Sequence, residues 1–115
     1  MVKADQILRL MADISSPNLG VLVDVGHLKV SAKALEYDPC DFISEIKSHI
    51  KAYHLSDNDG NEDQNLQVSK NSWFWSSIKK CVDATLVLEV YRLEPDDMLR
   101  QRELVKKLSS YDIRS

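Results

Sequence analysis

Asp24, His27, His54 and Glu89 are the residues of this sequence best placed to do chemistry. Asp24 closes the apolar run Leu19-Gly20-Val21-Leu22-Val23, with His27 just behind it. His54 closes Ile50-Lys51-Ala52-Tyr53, and Glu89 closes Ala84-Thr85-Leu86-Val87-Leu88. Two carboxylates and two imidazoles make an oxygen–nitrogen donor set suited to a divalent cation. Each residue also has a plainer reading. Asp24 at a strand end is a natural cap for the following turn. His54 reads alternatively as a satisfied buried histidine. Glu89 sits within Leu-Val-Leu-Glu-Val-Tyr, where a carboxylate is costly to bury unless paired or metal-bound. Arg92 or Lys29 is the alternative partner for it.

The three runs read as strands, and helical patterns separate them. Ile7, Leu8, Leu10, Met11 and Ile14 recur at helical spacing over 4–14. A strand over 19–24 is apolar on successive residues, as expected of a strand covered on both faces. Residues 25–38 read as a long loop with a helical turn near 31–35. Asp38-Pro39 then opens a helix to about residue 48, Asp38 capping and Pro39 in the first turn. A second strand covers 50–55, followed by a polar loop over 56–65. A helix over 72–81 carries Trp73, Phe74, Trp75 and Ile78. A third strand covers 84–90, and Glu94-Pro95 begins a last helix to residue 109. Strands alternating with helices predict a parallel α/β sheet or barrel, whose chemistry lies at the carboxyl ends of the strands. On that rim Asp24, His27, His54 and Glu89 would gather.

The chain has 115 residues, with 43% hydrophobic and 29% charged, the composition of one globular domain over 1–115. Its net charge of −3 gives no electrostatic footprint for nucleic acid. No apolar run approaches the roughly 20 residues of a membrane span, and the first residues lack a signal core. Cys40 and Cys81 make neither a CxxC motif nor a disulfide framework, so free thiols and a cytoplasmic location are expected. His49 reads as structural at a helix end. The run Asp57-Asn58-Asp59-Gly60 lacks the full spacing and closing glutamate of a calcium loop.

Val23-Asp24-Val25-Gly26-His27, Ala52-Tyr53-His54-Leu55-Ser56-Asp57-Asn58-Asp59-Gly60 and Val87-Leu88-Glu89 together resemble the xylose isomerase-like barrel superfamily. That group includes sugar and sugar-phosphate isomerases and epimerases, and endonuclease IV-type enzymes. The resemblance spans residues 5–108 but only the last three βα units of such a barrel. The expected fold class is α/β, a partial (β/α) barrel of about three parallel strands with flanking helices. The resemblance implies that Asp24, His54 and Glu89 hold a divalent metal, Mn²⁺ or Mg²⁺ with Zn²⁺ as the alternative. It implies that Glu89 also acts as general base, and that His27 meets the substrate oxygens or a second metal. The reaction implied is enediolate proton transfer on a sugar or sugar phosphate. An opposing glutamate, supplied in such relatives by an earlier strand, has no counterpart here.

Asp57, Lys29 and Trp73 complete the candidate set. Asp57 is a candidate for substrate binding or for partnering a metal-bound imidazole, Lys29 for holding a phosphate or carboxylate, and Trp73 for walling a sugar pocket. For Lys29 simple exposure, and for Trp73 core packing, are the alternatives. Two further functions compete with the isomerase reading. One is a truncated or split barrel remnant, non-catalytic, acting through homo-oligomerisation or a partner chain, since open sheet edges invite association. The other is an abasic-site nuclease. Nuclease relatives add an Asp-x-His after the seventh strand, where this chain has Asp63-Gln64-Asn65, and an amide is a poor zinc ligand.

Overall fold

Three parallel strands lie in chain order, β1 (Val21–Asp24), β2 (Ile50–Leu55) and β3 (Thr85–Leu88). The computed structural model describes residues 3–79 and 83–109. Cys81 and the end of the helix expected over 72–81 lie outside the described residues. The helices are α1 (Ala4–Ile14), α2 (Val25–Leu35), α3 (Pro39–Ile46), α4 (Trp75–Lys79) and α5 (Pro95–Ser109), with a 3₁₀ turn over Lys47–His49 before β2. This is the expected α/β architecture, a three-stranded parallel sheet with flanking helices that does not close. Among the described residues no helix is long and apolar enough to cross a membrane.

The loop expected over 25–38 is the main correction. Helix α2 starts directly at the end of β1, and Asp24 is its cap, Oδ1 accepting from the His27 backbone N–H at 3.0 Å. Val25, Leu28 and Ala32 sit one and two turns apart and are buried, so the helical stripe is present in the sequence. A glycine in its first turn and a cap that doubles as the last strand residue obscure it. Helix α2 ends at Glu36 in the left-handed region, φ +58°. Asp38 caps α3 as expected, accepting from the Cys40 N–H at 2.8 Å. The strands expected over 19–24 and 84–90 are shorter, and the helix expected from residue 72 starts at Trp75, with its described part running to Lys79.

Alternation along the strands divides the sheet into two unlike faces. Val23, Tyr53 and Leu55 are buried on one face, in a core shared with Leu28, Ile43, Ile46, Phe74 and Ile78. The other face carries Leu22 and Val87, 51% and 41% exposed, with Asp24 and His54 beside them. Within the described sheet, β1 and β3 each have one strand neighbour, so both outer edges are open.

Candidate metal centre

Strand register brings the triad together. Asp24 pairs directly with His54, and His54 with Val87. Glu89 lies two residues beyond Val87 and therefore on the same face. Its N–H still donates to the Leu55 carbonyl at 2.9 Å, extending the ladder one residue past β3. Asp24, His54 and Glu89 each present a ligand atom, and these atoms lie within 4.8 Å of one another. His54 Nδ1 is 3.0 Å from Glu89 Oε2, with the side chains 27% and 41% exposed. The carboxylate next to the imidazole is thus Glu89, not Asp57, and the group next to Glu89 is His54, not Arg92 or Lys29. One imidazole and two carboxylates, half-buried and close together, fit a borderline-to-hard divalent cation. Asp24 is both cap and triad member, because its Oδ1 serves α2 while a carboxylate has lone pairs to spare.

The other candidates make contacts of their own outside this triad. His27, the fourth residue expected to gather on the rim, is not in this cluster; it stands on the first turn of α2, largely exposed, with Nδ1 2.9 Å from Asp63 Oδ2. Lys29 Nζ donates to Asp57 Oδ1 at 3.0 Å and to the Asn58 carbonyl. Asp57 also accepts from Ser72 Oγ at 2.7 Å and from the Asn58 N–H at 2.8 Å. Burial pushes the Asp57 carboxyl up. The hydrogen bonds from Ser72, Lys29 and the Asn58 backbone outweigh this and hold it below the usual value. Trp73 is half-buried, packs against the core and meets Phe74 edge-on at 5.8 Å.

This arrangement makes a pH prediction. Asp57 is more acidic folded than unfolded, so its contribution to stability is complete above about pH 4, the unfolded value. That contribution declines as the pH falls through the lower folded value. Urea unfolding of wild type and Asp57→Asn from pH 6 to pH 3 is expected to show the difference between them shrinking toward the acid end.

Four positions that contact or brace the candidate residues escape the sequence. Asp63 orients His27. Asn58 is buried, donating Nδ2 to the Gly26 carbonyl at 3.0 Å and accepting from the Gly60 N–H at 2.8 Å. Asn65 donates Nδ2 to the Glu89 carbonyl at 2.8 Å. Gly26 lets the loop after β2 approach α2. A Cβ there would stand 2.6 Å from Ser56 Oγ, 3.1 Å from Asp63 Oδ1 and 3.4 Å from Asn58 Nδ2. Gly26→Ala gains helix propensity but overpacks this contact. A net loss of about 1–2 kcal/mol is expected, read as a lower urea midpoint with unchanged slope. The only sequence signals for these residues are the turn-forming Asn58 and Gly60.

The fold and the triad define a class: a partial (β/α)-barrel unit with an Asp–His–Glu cluster suited to a divalent metal at the carboxyl ends of its strands. The chain is similar to the uncharacterized protein MJ1311 of Methanocaldococcus jannaschii, 23% identical over 112 residues. The match takes in 92% of this chain and 36% of that protein, so the chain spans well under half of its relative. No protein-family profile matches the chain, and no solved structure matches it.

Proposed function

We propose that this chain carries the metal-binding rim of a sugar or sugar-phosphate isomerase or epimerase of the xylose isomerase-like kind, residues 1–115 forming one incomplete barrel domain. The observation that carries this reading is the triad, with Asp24 and His54 in register on adjacent strands and Glu89 joining them on one face. Asp24, His54 and Glu89 hold Mn²⁺ or Mg²⁺, with Zn²⁺ the alternative. Such a cation polarises a carbonyl and stabilises the negative charge that develops beside it. Glu89 takes the proton from the carbon next to that carbonyl. His27, exposed and 2.9 Å from Asp63, contacts substrate oxygens at the rim, and Trp73 is the candidate for a wall of the sugar pocket. Lys29 and Asp57, satisfied by each other, shape the loop that borders the substrate.

The two open sheet edges and the exposed Leu22 and Val87 favour a second element of the reading. Further βα units, whether in the same polypeptide, a second copy or a partner chain, cover this face and supply the group that returns the proton. Against the nuclease reading stands Asn65, an amide where such enzymes place a zinc-binding histidine.

Calorimetric titration with Mn²⁺, with the solution mass recorded alongside, tests the site. Solvent-deuterium incorporation into a panel of ketoses and ketose phosphates tests the chemistry. One Mn²⁺ per chain and deuterium beside the carbonyl is the expected pair of results. Saturable Mn²⁺ binding without incorporation, in the chain and in its complexes, would leave the non-catalytic remnant as the better reading. Absence of saturable binding would remove the metal site itself.

A further inference from the structure

We infer that Asn65 is a positioning residue that holds Glu89 in the triad, an inference resting on the metal-site reading above. Glu89 lies one residue beyond β3, where the regular ladder ends. One side of its backbone is held by the bond from its N–H to the Leu55 carbonyl at 2.9 Å. The other side is held by Asn65. Its Nδ2 donates to the Glu89 carbonyl at 2.8 Å, and its own carbonyl accepts from the Tyr91 N–H at 3.1 Å. Two bonds from one residue therefore bracket the chain just past the ligand.

Asn65 is suited to this in type and in placement. It is buried, 7% exposed, and its backbone is left-handed, φ +51°. Asparagine tolerates that conformation better than most residues and carries a short amide donor. Its neighbour Leu66 exchanges two backbone hydrogen bonds with Asp57, both 2.9 Å. Asp57 is in turn tied to Lys29 and Ser72. The polar loop after β2 is thus a braced frame, and Asn65 is where that frame grips the end of β3. The nearby Lys33–Asn61 bond, 2.6 Å and exposed, braces the same loop without touching Glu89.

Asn65→Gly keeps the backbone conformation and removes the amide. Asn65→Asp keeps the shape and sets an acceptor against the Glu89 carbonyl. Mn²⁺ affinity is expected to fall about 10–100-fold in both, the range for groups that orient a metal ligand. The Glu89 amide is expected to exchange with solvent about tenfold faster, the equivalent of one net hydrogen bond. Lys33→Ala, which loosens the loop elsewhere, is expected to leave both readouts at the wild-type value. Wild-type Mn²⁺ affinity and Glu89 exchange in a folded Asn65→Gly or Asn65→Asp chain would overturn the inference. Equal losses in Lys33→Ala would overturn it as well, reducing Asn65 to general loop stability. Should wild type fail to bind Mn²⁺, the metal reading falls, and Glu89 exchange in the two variants alone decides whether Asn65 holds this residue.

Discussion

Glu89→Gln is expected to weaken Mn²⁺ binding by more than about 100-fold, beyond the range typical of groups that merely orient a ligand. The change removes a formal charge and keeps the side-chain length. The side-chain amide of the variant can still meet His54, so the 3.0 Å contact with the imidazole has a replacement. The metal-free fold should therefore hardly notice. Asp24 and Glu89 are two carboxylates brought close together, and like charges at such separations disfavour each other. Relieving that repulsion sets the expected sign. Metal-free Glu89→Gln should be as stable as wild type or slightly more so, by about 0–1 kcal/mol. A site that lowers stability until its ligand arrives is the usual mark of a functional cluster. The check is a pair of measurements on one sample, Mn²⁺ calorimetry and urea unfolding without metal. Retained Mn²⁺ affinity would remove Glu89 from the ligand set. A large loss of metal-free stability would recast it as a structural partner of His54.

The triad is legible in the sequence because its positions follow from local pattern. An apolar run ending in a ligating residue marks the carboxyl end of a strand, and parallel order then brings three such ends together. Asp24, His54 and Glu89 need no knowledge of distant contacts to be singled out. Helix α2 is hidden for a local reason, the double duty of Asp24 as strand end and cap. The sequence places the start of α4 too early because Trp73 and Phe74 share its apolar character. In the fold they form the turn before it, where Trp75 Nε1 donates to the Ser69 carbonyl at 2.7 Å. Asn58, Asp63 and Asn65 are hidden for a different reason. Each acts through a residue 24 to 36 positions away, and a polar loop residue carries no periodic signal of which distant group it will meet. Lys29 and Asp57 show the same limit from the other side. Both types suit a ligand site, and only the fold reveals that they satisfy each other.

Phe74→Ala is expected to have the largest effect on stability, a loss of about 3–5 kcal/mol. Phe74 is fully buried in the core on the covered face of the sheet. Trp73 meets it edge-on and Trp75 lies tilted against it with ring centroids 4.7 Å apart. Neighbours this large and this constrained cannot collapse into the space a benzyl group leaves, so the cost falls at the upper end of the range for its type. That loss is a large fraction of the roughly 5–15 kcal/mol that holds a domain of this size together. Phe74→Leu keeps more of the volume and is expected to cost clearly less, which provides a folded comparison. His54 faces away from Tyr53 and hence away from Phe74, so Phe74→Leu should bind Mn²⁺ with the wild-type constant. By linkage, Mn²⁺ at about 100 times its dissociation constant should then restore about 2.7 kcal/mol to either variant. Urea midpoints with and without Mn²⁺ read both quantities at once. Equal metal-induced shifts in wild type and Phe74→Leu, beside a large drop in the metal-free midpoint, would establish that the covered face sets stability while the open face sets function. A metal-induced shift abolished by Phe74→Leu would instead mean that the two faces are coupled through the sheet.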